Sequence, residues 1–462
     1  MFEIQALLPD LTVMLMGLSF GYLSGLIPGI GLVILLLVSY PMLITWDLFH
    51  LLLFYMSASS AAQFSGSVIA TTMGIPGESS SLPAVKEGNA MFYSGRGHLA
   101  ISSAAMGSAL GAFLACAGVL LILPYAVDLI LEYYSYQMQL GLITLASAII
   151  IFIYGRSWIE NIAIFMFGMF LASIGWNDIP YGIMYESWFP YDLLHDSVRE
   201  GLPFFPVVVA LFVIPVLWQS WNINQKMSDS SKKYQDPDSI IVHVKEFVGN
   251  ISSAIRGTVV GIVGGLIPHV GVPLATNVSY SVEKSIGKKK GTYNPDGDLK
   301  SLTSAETSNN AAVFMQLMPL VLLGIPITTS EAILISIIDR TSYGITLSQT
   351  VQSGMFDILV LFFIAVNIIC FALSWPLVKM VTWIGQIPFK YIFSTTMIIL
   401  IYLVWWQGNR EMDGVYYIGT FLALAPLGWL LRKTEPIILV IGFVLQAKFF
   451  ESFTVFWQIV TA

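Results

Sequence analysis

The sequence predicts an all-α, polytopic membrane protein. About ten to twelve membrane-embedded helices are expected, in two homologous, inverted repeats with discontinuous or re-entrant helices. Composition is the first observation behind this. Of 462 residues, 56% are hydrophobic and 11% charged, and mean hydropathy is +0.77, whereas soluble domains carry about 25% charged residues. The second is the recurrence of apolar runs at 11–27, 102–123, 138–154, 204–221, 355–375, 393–406, 415–431 and 436–450. Some fall short of the roughly 20 residues a full span needs, and flanking Trp, Tyr and small residues complete them. The third is an internal repeat. "GLIPGIG" at 25–31 returns as "GLIPHVG" at 265–271, and residues 21–40 match 261–280 at nine of twenty positions, the mark of a duplicated unit.

Taken in order, the opening "MFEIQALLPD" lacks a basic n-region and the first lysine is Lys86, so no cleavable signal peptide is expected. The first repeat spans 1–221 and contains the Gly-Pro break, then "SSAAQF" at 59–64, then Gly74-Ile75-Pro76. Its acidic segment 175–203 is expected on the extracytoplasmic side. Residues 222–246 mix Lys, Asp and Ser with Pro237 and read as a polar, cytoplasmic linker. The second repeat, 247–462, carries the same devices in the same order, with "NNAAVF" at 309–314 and Gly324-Ile325-Pro326 now at an offset of 250. The extra ten residues fall in the loop 284–298. Lys284, Lys288, Lys289, Lys290 and Lys300 make 284–300 basic, while its counterpart 41–50 has neither Lys nor Arg. That asymmetry marks the basic loop as cytoplasmic and suits inversion; it is a topology signal and implies no nucleic-acid partner. Cys116 and Cys370 both lie in apolar runs, which argues against a disulfide framework or a Cys metal site.

Proline inside a helix removes a backbone hydrogen bond, and hydrocarbon tolerates the freed carbonyls only where protein or a cavity satisfies them. One such Pro is a kink; two matched pairs of breaks point to a transport site. After the first Gly-Ile-Pro stand Gly77, Glu78, Ser79, Ser80 and Ser81; after the second, Thr328, Thr329 and Ser330. If helices restart there, these hydroxyls and free N–H groups favour a carboxylate, although Ser and Thr also serve as plain N-caps. Gly74, Pro76, Gly324 and Pro326 form the breaks themselves. Upstream, Glu306, Asn309 and Asn310 share one helix face by spacing. Such a face in an apolar helix is costly unless partnered, and its oxygens suit a small hard cation such as sodium. Polar helix–helix adhesion is the alternative. The first-half counterparts are Met56, Ser59 and Ser60, so the half-sites differ chemically. His269 in "IPHVG" is a weaker anion or proton ligand.

These motifs resemble those of the large membrane subunit of tripartite tricarboxylate transporters, the TctA-type permease family. Residues 25–31 fit the family's Gly-x-x-Pro-Gly-x-Gly; in the second copy Pro268 and Gly271 fit while His269 replaces Gly. Phe64-Ser65-Gly66-Ser67, Gly74-Ile75-Pro76-Gly77 and Glu87-Gly88 answer the first-half signature loosely. Glu306, Asn309, Asn310 and Ala311 fit Glu-x-x-Asn-Asn-Ala, and Gly324-Ile325-Pro326 fits Gly-Ile-Pro with Ile327 in place of Gly; a later Pro-Gly-Pro is missing. The resemblance covers nearly the whole chain. It implies a pore-forming subunit in a bacterial cytoplasmic membrane, with a small four-helix membrane subunit and a periplasmic solute-binding protein as partners. It further implies an organic carboxylate as substrate and sodium or a proton as coupling ion.

There is no Gly-x-x-x-x-Gly-Lys-Ser/Thr loop for ATP. His-Glu-x-x-His, Gly-x-Ser-x-Gly and an acidic metal cluster are also missing, so neither an enzyme nor a bound cofactor is expected. The competing reading is an ion channel or exchanger without a binding-protein partner. Lipid surrounds the chain in either case, and a homodimer is left open.

Overall fold

Hydrocarbon offers backbone groups no hydrogen-bond partners, so a chain this apolar pairs its N–H and C=O groups within helices. The computed structural model describes residues 2–27, 31–74, 76–133, 136–153, 157–174, 201–215, 217–218, 239–268, 271–323, 325–340, 354–384, 389–411, 413–431 and 436–461, and every regular element among them is helical. The chain is a polytopic all-α membrane protein. Expectations for Gly324, for His269, for the acidic stretch 175–200 and for most of the linker (222–238) lie outside the described residues.

The first half runs α1 (Phe2–Leu26), α2 (Gly31–Leu43) and α3 (Leu48–Met73), then a short turn Ser79–Ser81 and a widened turn Ala84–Gly88 into α4 (Asn89–Tyr93). It continues with α5 (Gly97–Tyr133), α6 (Tyr136–Ile153), α7 (Trp158–Ala172) and α8 (Phe204–Val208). The second half runs α9 (Ile240–Gly249), α10 (Ile251–Gly265), α11 (Gly271–Lys289), α12 (Leu299–Leu323), α13 (Thr329–Arg340) and α14 (Met355–Ile384). It ends with α15 (Phe389–Glu411), α16 (Gly414–Leu430) and α17 (Pro436–Thr461). Gly97–Leu123 and Met355–Ser374 are each long and apolar enough to cross a bilayer, and α9 with α10, bent by 68°, makes a third such unit. Shorter apolar helices, among them α2, α7 and α16, complete the set. Residues 240–246, assigned to the linker by sequence, instead begin α9, whose His243 and Phe247 are buried.

The two Gly-Pro breaks serve one packing device. A Cβ on Gly17, Gly21 or Gly25 would lie 2.6, 2.2 or 2.2 Å from the carbonyl oxygens of Phe54, Ala58 and Ala62. Only glycine lets α1 press backbone to backbone against α3. In the second half Gly257, Gly261 and Gly265 stand against the carbonyls of Ser304, Ser308 and Ala312 at 2.1, 2.4 and 2.5 Å. The glycines correspond at the offset of 240 and the carbonyls at 250, as in the sequence.

α3 starts at the Asp47 cap and ends at Gly74, whose φ of 70° closes the last turn. It runs antiparallel to α12: Ser67 Oγ donates to Glu306 Oε2 (2.9 Å), and Asn310 Nδ2 donates to Ser60 Oγ (3.2 Å). Ser60 and Asn310 are corresponding positions of the two halves, and a contact between equivalents is what a two-fold axis passing between them produces. The flanking long helices cross over. α5 of the first half packs on α12, and α14 of the second half packs on α3.

Candidate functional site

Between α3, α12 and α14 lies a buried polar layer. Its centre is Asn310, whose Nδ2 reaches both Ser60 Oγ and Asn367 Oδ1, while Asn367 Nδ2 donates to Phe363 O at 2.8 Å. One turn earlier, Glu306 is held by Ser67 and packs beside Gly107 of α5. Asn309 is buried with its amide beside the Glu306 carboxyl one turn back and makes no other side-chain hydrogen bond; Asn310 Oδ1 is unpaired. Ser59 Oγ turns back to Met56 O at 3.1 Å. Unsatisfied buried polar atoms are costly, so this collection is poorly explained as adhesion alone. The side-chain oxygens suit a hard monovalent cation, and the Asn309 N–H groups suit a carboxylate.

Two breaks flank this layer. Tip 1 (74–81) folds back on α1 and α3: a Cβ on Gly77 would sit 2.5 Å from both Gly25 O and Gly66 Cα, so Gly25 of the first Gly-Pro break and Gly77 of the Gly-Ile-Pro break are in contact. Pro76 is partly buried, and Ser79 is exposed. Ser80 Oγ donates to Gln63 Oε1. The Glu78 carboxylate accepts the Leu32 N–H at the start of α2, while its Oε1 is buried without a partner. Tip 2 starts at buried Pro326. There Glu331 Oε2 accepts the N–H groups of Ile327 (2.7 Å) and Thr328 (3.1 Å), and Glu331 N–H donates to Thr328 Oγ1 (3.3 Å).

The chain's own carboxylate therefore fills the anion position at the start of α13, where sequence reasoning expected free N–H groups. Ser330 Oγ is engaged by Tyr55 OH at 2.8 Å; Thr329 Oγ1 is left buried and unpaired. The described residues of the two tips touch α3 at different levels. Tip 1 touches α3 at Gln63 and Gly66, and tip 2 touches it at Tyr55, eight or more residues away, or about 12 Å along the axis. Ser60 lies between them.

No ion pair reaches Glu78, Glu306 or Glu331 among the described residues; those found join His50 to Asp10 and Asp47, Arg256 to Glu283, and Lys284 to Glu87. Nor do the described residues contain a cluster of three or more His, Cys, Asp or Glu able to hold a metal. The Lys284–Glu87 pair lies outside the spans and ties the halves together. Glu87 Oε1 accepts from Tyr280 OH (2.8 Å), Lys284 Nζ (3.0 Å) and Tyr293 OH (3.2 Å), and Oε2 accepts the Asp298 N–H (3.0 Å). Arg96 adds bonds to the carbonyls of Asp296 and Gly297, both 2.9 Å. Lys284, read from sequence as a topology signal, is thus also a structural clamp, while Lys288, Lys289 and Lys290 are exposed.

The sequence profile of the tripartite tricarboxylate transporter TctA family matches residues 11–441. The chain belongs to the TctA family. It is therefore a membrane component of a tripartite tricarboxylate transporter, a transporter family and not an enzyme family. It is similar to an Agrobacterium vitis protein described as an uncharacterized 52.8 kDa protein in the TAR-I ttuC' 3'region, 26% identical over 436 residues, covering 93% of this chain and 83% of the relative. A second A. vitis protein, described as an uncharacterized protein in the TAR-II ttuC' 3'region, is 29% identical over 185 residues, 39% of this chain and 74% of the relative. No solved structure matches.

Sequence reasoning gave no site role to four residues of this layer and its second tip. Asn367 was legible as a lone amide in an apolar span, and Glu331 as the last residue of a Thr-x-x-Glu capping box. Ser67 stood in the Phe64-Ser65-Gly66-Ser67 stretch of the resemblance but without a role, and Tyr55 left no sequence signal, since nothing local distinguishes it from other interfacial residues.

Proposed function

We propose that this chain is the permease of a secondary active importer of organic di- or tricarboxylates in a bacterial cytoplasmic membrane. In this reading a gradient of sodium ions or protons drives uptake. A periplasmic binding protein delivers the substrate, and a small four-helix subunit completes the membrane assembly. The observation that carries the reading is the polar layer at Ser60, Glu306, Asn309 and Asn310, on the two helices that join the halves. Buried Glu306 and Glu331 and part-buried Glu78 have no cationic partner among the described residues, so a substrate carboxylate entering alone meets repulsion in a low-dielectric setting. A co-bound cation removes that repulsion, which makes binding of ion and substrate interdependent. Glu306 and the side-chain oxygens of Asn309 and Asn310 supply the cation ligands, and the Asn309 N–H groups, beside Glu306 before substrate enters, turn to the carboxylate. Relative movement of the halves then exposes the layer alternately to each side.

The test is uptake of labelled di- and tricarboxylates into proteoliposomes carrying the complete transporter, with an imposed sodium or proton gradient. Uptake should require the gradient, and Asn309→Ala should reduce it by about tenfold or more. Full uptake in both Asn309→Ala and Asn310→Ala, or conductance that ignores the gradient, counts against this reading.

A further inference from the structure

We propose that Asn367 is a positioning residue that makes Asn310 an acceptor-only group, committing Asn310 to the coupling cation and excluding it from the carboxylate subsite. The inference rests on the ion-coupled reading above and assigns a role within that site.

One atom in this layer has an identity beyond choice. Phe363 O is a backbone carbonyl and only accepts, so the Asn367 atom 2.8 Å from it is the amide nitrogen. The other end of that amide, Oδ1, then faces Asn310. An oxygen there requires a donor, so the Asn310 atom facing it is Nδ2. The same nitrogen donates to Ser60 Oγ. An asparagine amide has two N–H bonds, and both are now used. What Asn310 has left is Oδ1, buried and without a partner.

An oxygen acceptor repels a carboxylate and attracts a cation. Flipping the Asn310 amide to present N–H would set oxygen against oxygen at Asn367 and lose that bond, even though the Ser60 hydroxyl could turn to donate. The orientation is therefore locked from α14, outside the Glu-x-x-Asn-Asn stretch that supplies the ligands. Asn309 differs. Its amide meets the Glu306 carboxyl of its own helix, and among the described residues no side chain from another helix sets which way it points, so it can offer oxygen to the cation and nitrogen to the substrate. Adjacent residues of the same type thus take different tasks, decided by a side chain 57 positions downstream. Because Ser60 and Asn310 belong to different halves, the lock also depends on their relative placement.

The purified full-length protein is titrated with sodium chloride at constant ionic strength against choline chloride, and the thermal unfolding midpoint gives an apparent sodium Kd. Asn367→Val should raise that Kd by about tenfold or more, as loss of a ligand-orienting residue does. In an Asn310→Asp background, with oxygen on both sides of the group, Asn367→Val should change it by less than about twofold. An equal shift in both backgrounds is a packing effect and overturns the proposal. So does an unchanged Kd in the wild-type background, or the lack of any saturable sodium effect. The same variants are assayed for carboxylate uptake with the complete transporter. The KM for carboxylate should stay near wild type in Asn367→Val while half-saturation by sodium rises. Carboxylate uptake that is intact but indifferent to sodium sinks this inference and leaves carboxylate transport standing; a normal sodium response without carboxylate uptake sinks the transport reading alone.

Discussion

Replacing Gly21 with alanine tests the packing device that the Gly-Pro breaks serve. The new Cβ would lie 2.2 Å from Ala58 O and 2.7 Å from Ala58 Cα. Ordinary contact begins at 3.4 Å, so the shortfall at the oxygen is about 1.2 Å, and neither partner is a flexible side chain. α1 and α3 must therefore separate, which loosens Leu18, Tyr22 and Leu26 in the core between them. Overpacking of this kind costs about 1–3 kcal/mol, from which the better helix propensity of Ala subtracts about 1 kcal/mol. Gly118 in α5 supplies the control, because nothing lies within 4 Å of its added Cβ; Gly118→Ala should be neutral or slightly stabilising. Gly261→Ala meets Ser308 O at 2.4 Å and should match Gly21→Ala. The assay is thermal unfolding of purified protein followed by size-exclusion fluorescence, where each kcal/mol moves the midpoint by about 2–4 °C for units of this size. Gly21→Ala and Gly118→Ala with the same midpoint would refute the close-packing argument.

Further outcomes follow from the clamp and the second tip. Burial pushes the Glu87 carboxyl up, but the Asp298 N–H, Lys284 and Tyr280 outweigh this and hold it below the usual carboxylate range. Desolvation pulls Lys284 down, and its bonds to Tyr280, Tyr293 and Glu87 raise it on balance. A depressed carboxyl contributes stability above its unfolded pKa of about 4.3, lost as pH falls further; a raised amine contributes below about 10.4, lost as pH rises through its folded value. Hydrogen-exchange protection of 284–298, corrected for the intrinsic rate, should then be flat between these limits. Glu87→Gln should lower it by about 1–3 kcal/mol; unchanged protection would show that the clamp does not hold the loop. At the second tip, Glu331→Ala removes the acceptor for two N–H groups and should cost about 0.5–2 kcal/mol in thermal unfolding, as lost caps do. Glu331→Gln keeps an acceptor oxygen and should cost less. Equal losses in the two variants would assign the effect to charge and not to capping.

Much of this protein was legible in its sequence. Mean hydropathy and run length fixed a polytopic helical protein, because hydrocarbon leaves the backbone few other ways to pair. The duplicated Gly-Pro and Gly-Ile-Pro breaks placed the interruptions, since a missing N–H is a local property. Spacing alone put Glu306, Asn309 and Asn310 on one face. What the spacing left undecided was whom that face meets. Ser67 and Ser60 come from a helix about 240 residues earlier, and Asn367 from one 57 residues later. Their partnership depends on the angle and stagger at which long helices cross, which no local pattern records. Tip 2 makes the same point in reverse. Its hydroxyls were visible, and so was the Thr-x-x-Glu pattern, but only the folded turn brings Glu331 onto the N–H groups of Ile327 and Thr328. Lys284 carried a topology signal in its charge, while its second role needed Glu87, some 200 residues away. Helix breaks and helix faces are local and were written in the sequence; the partners across those faces, and so the division of labour between Asn309 and Asn310, were decided by tertiary packing.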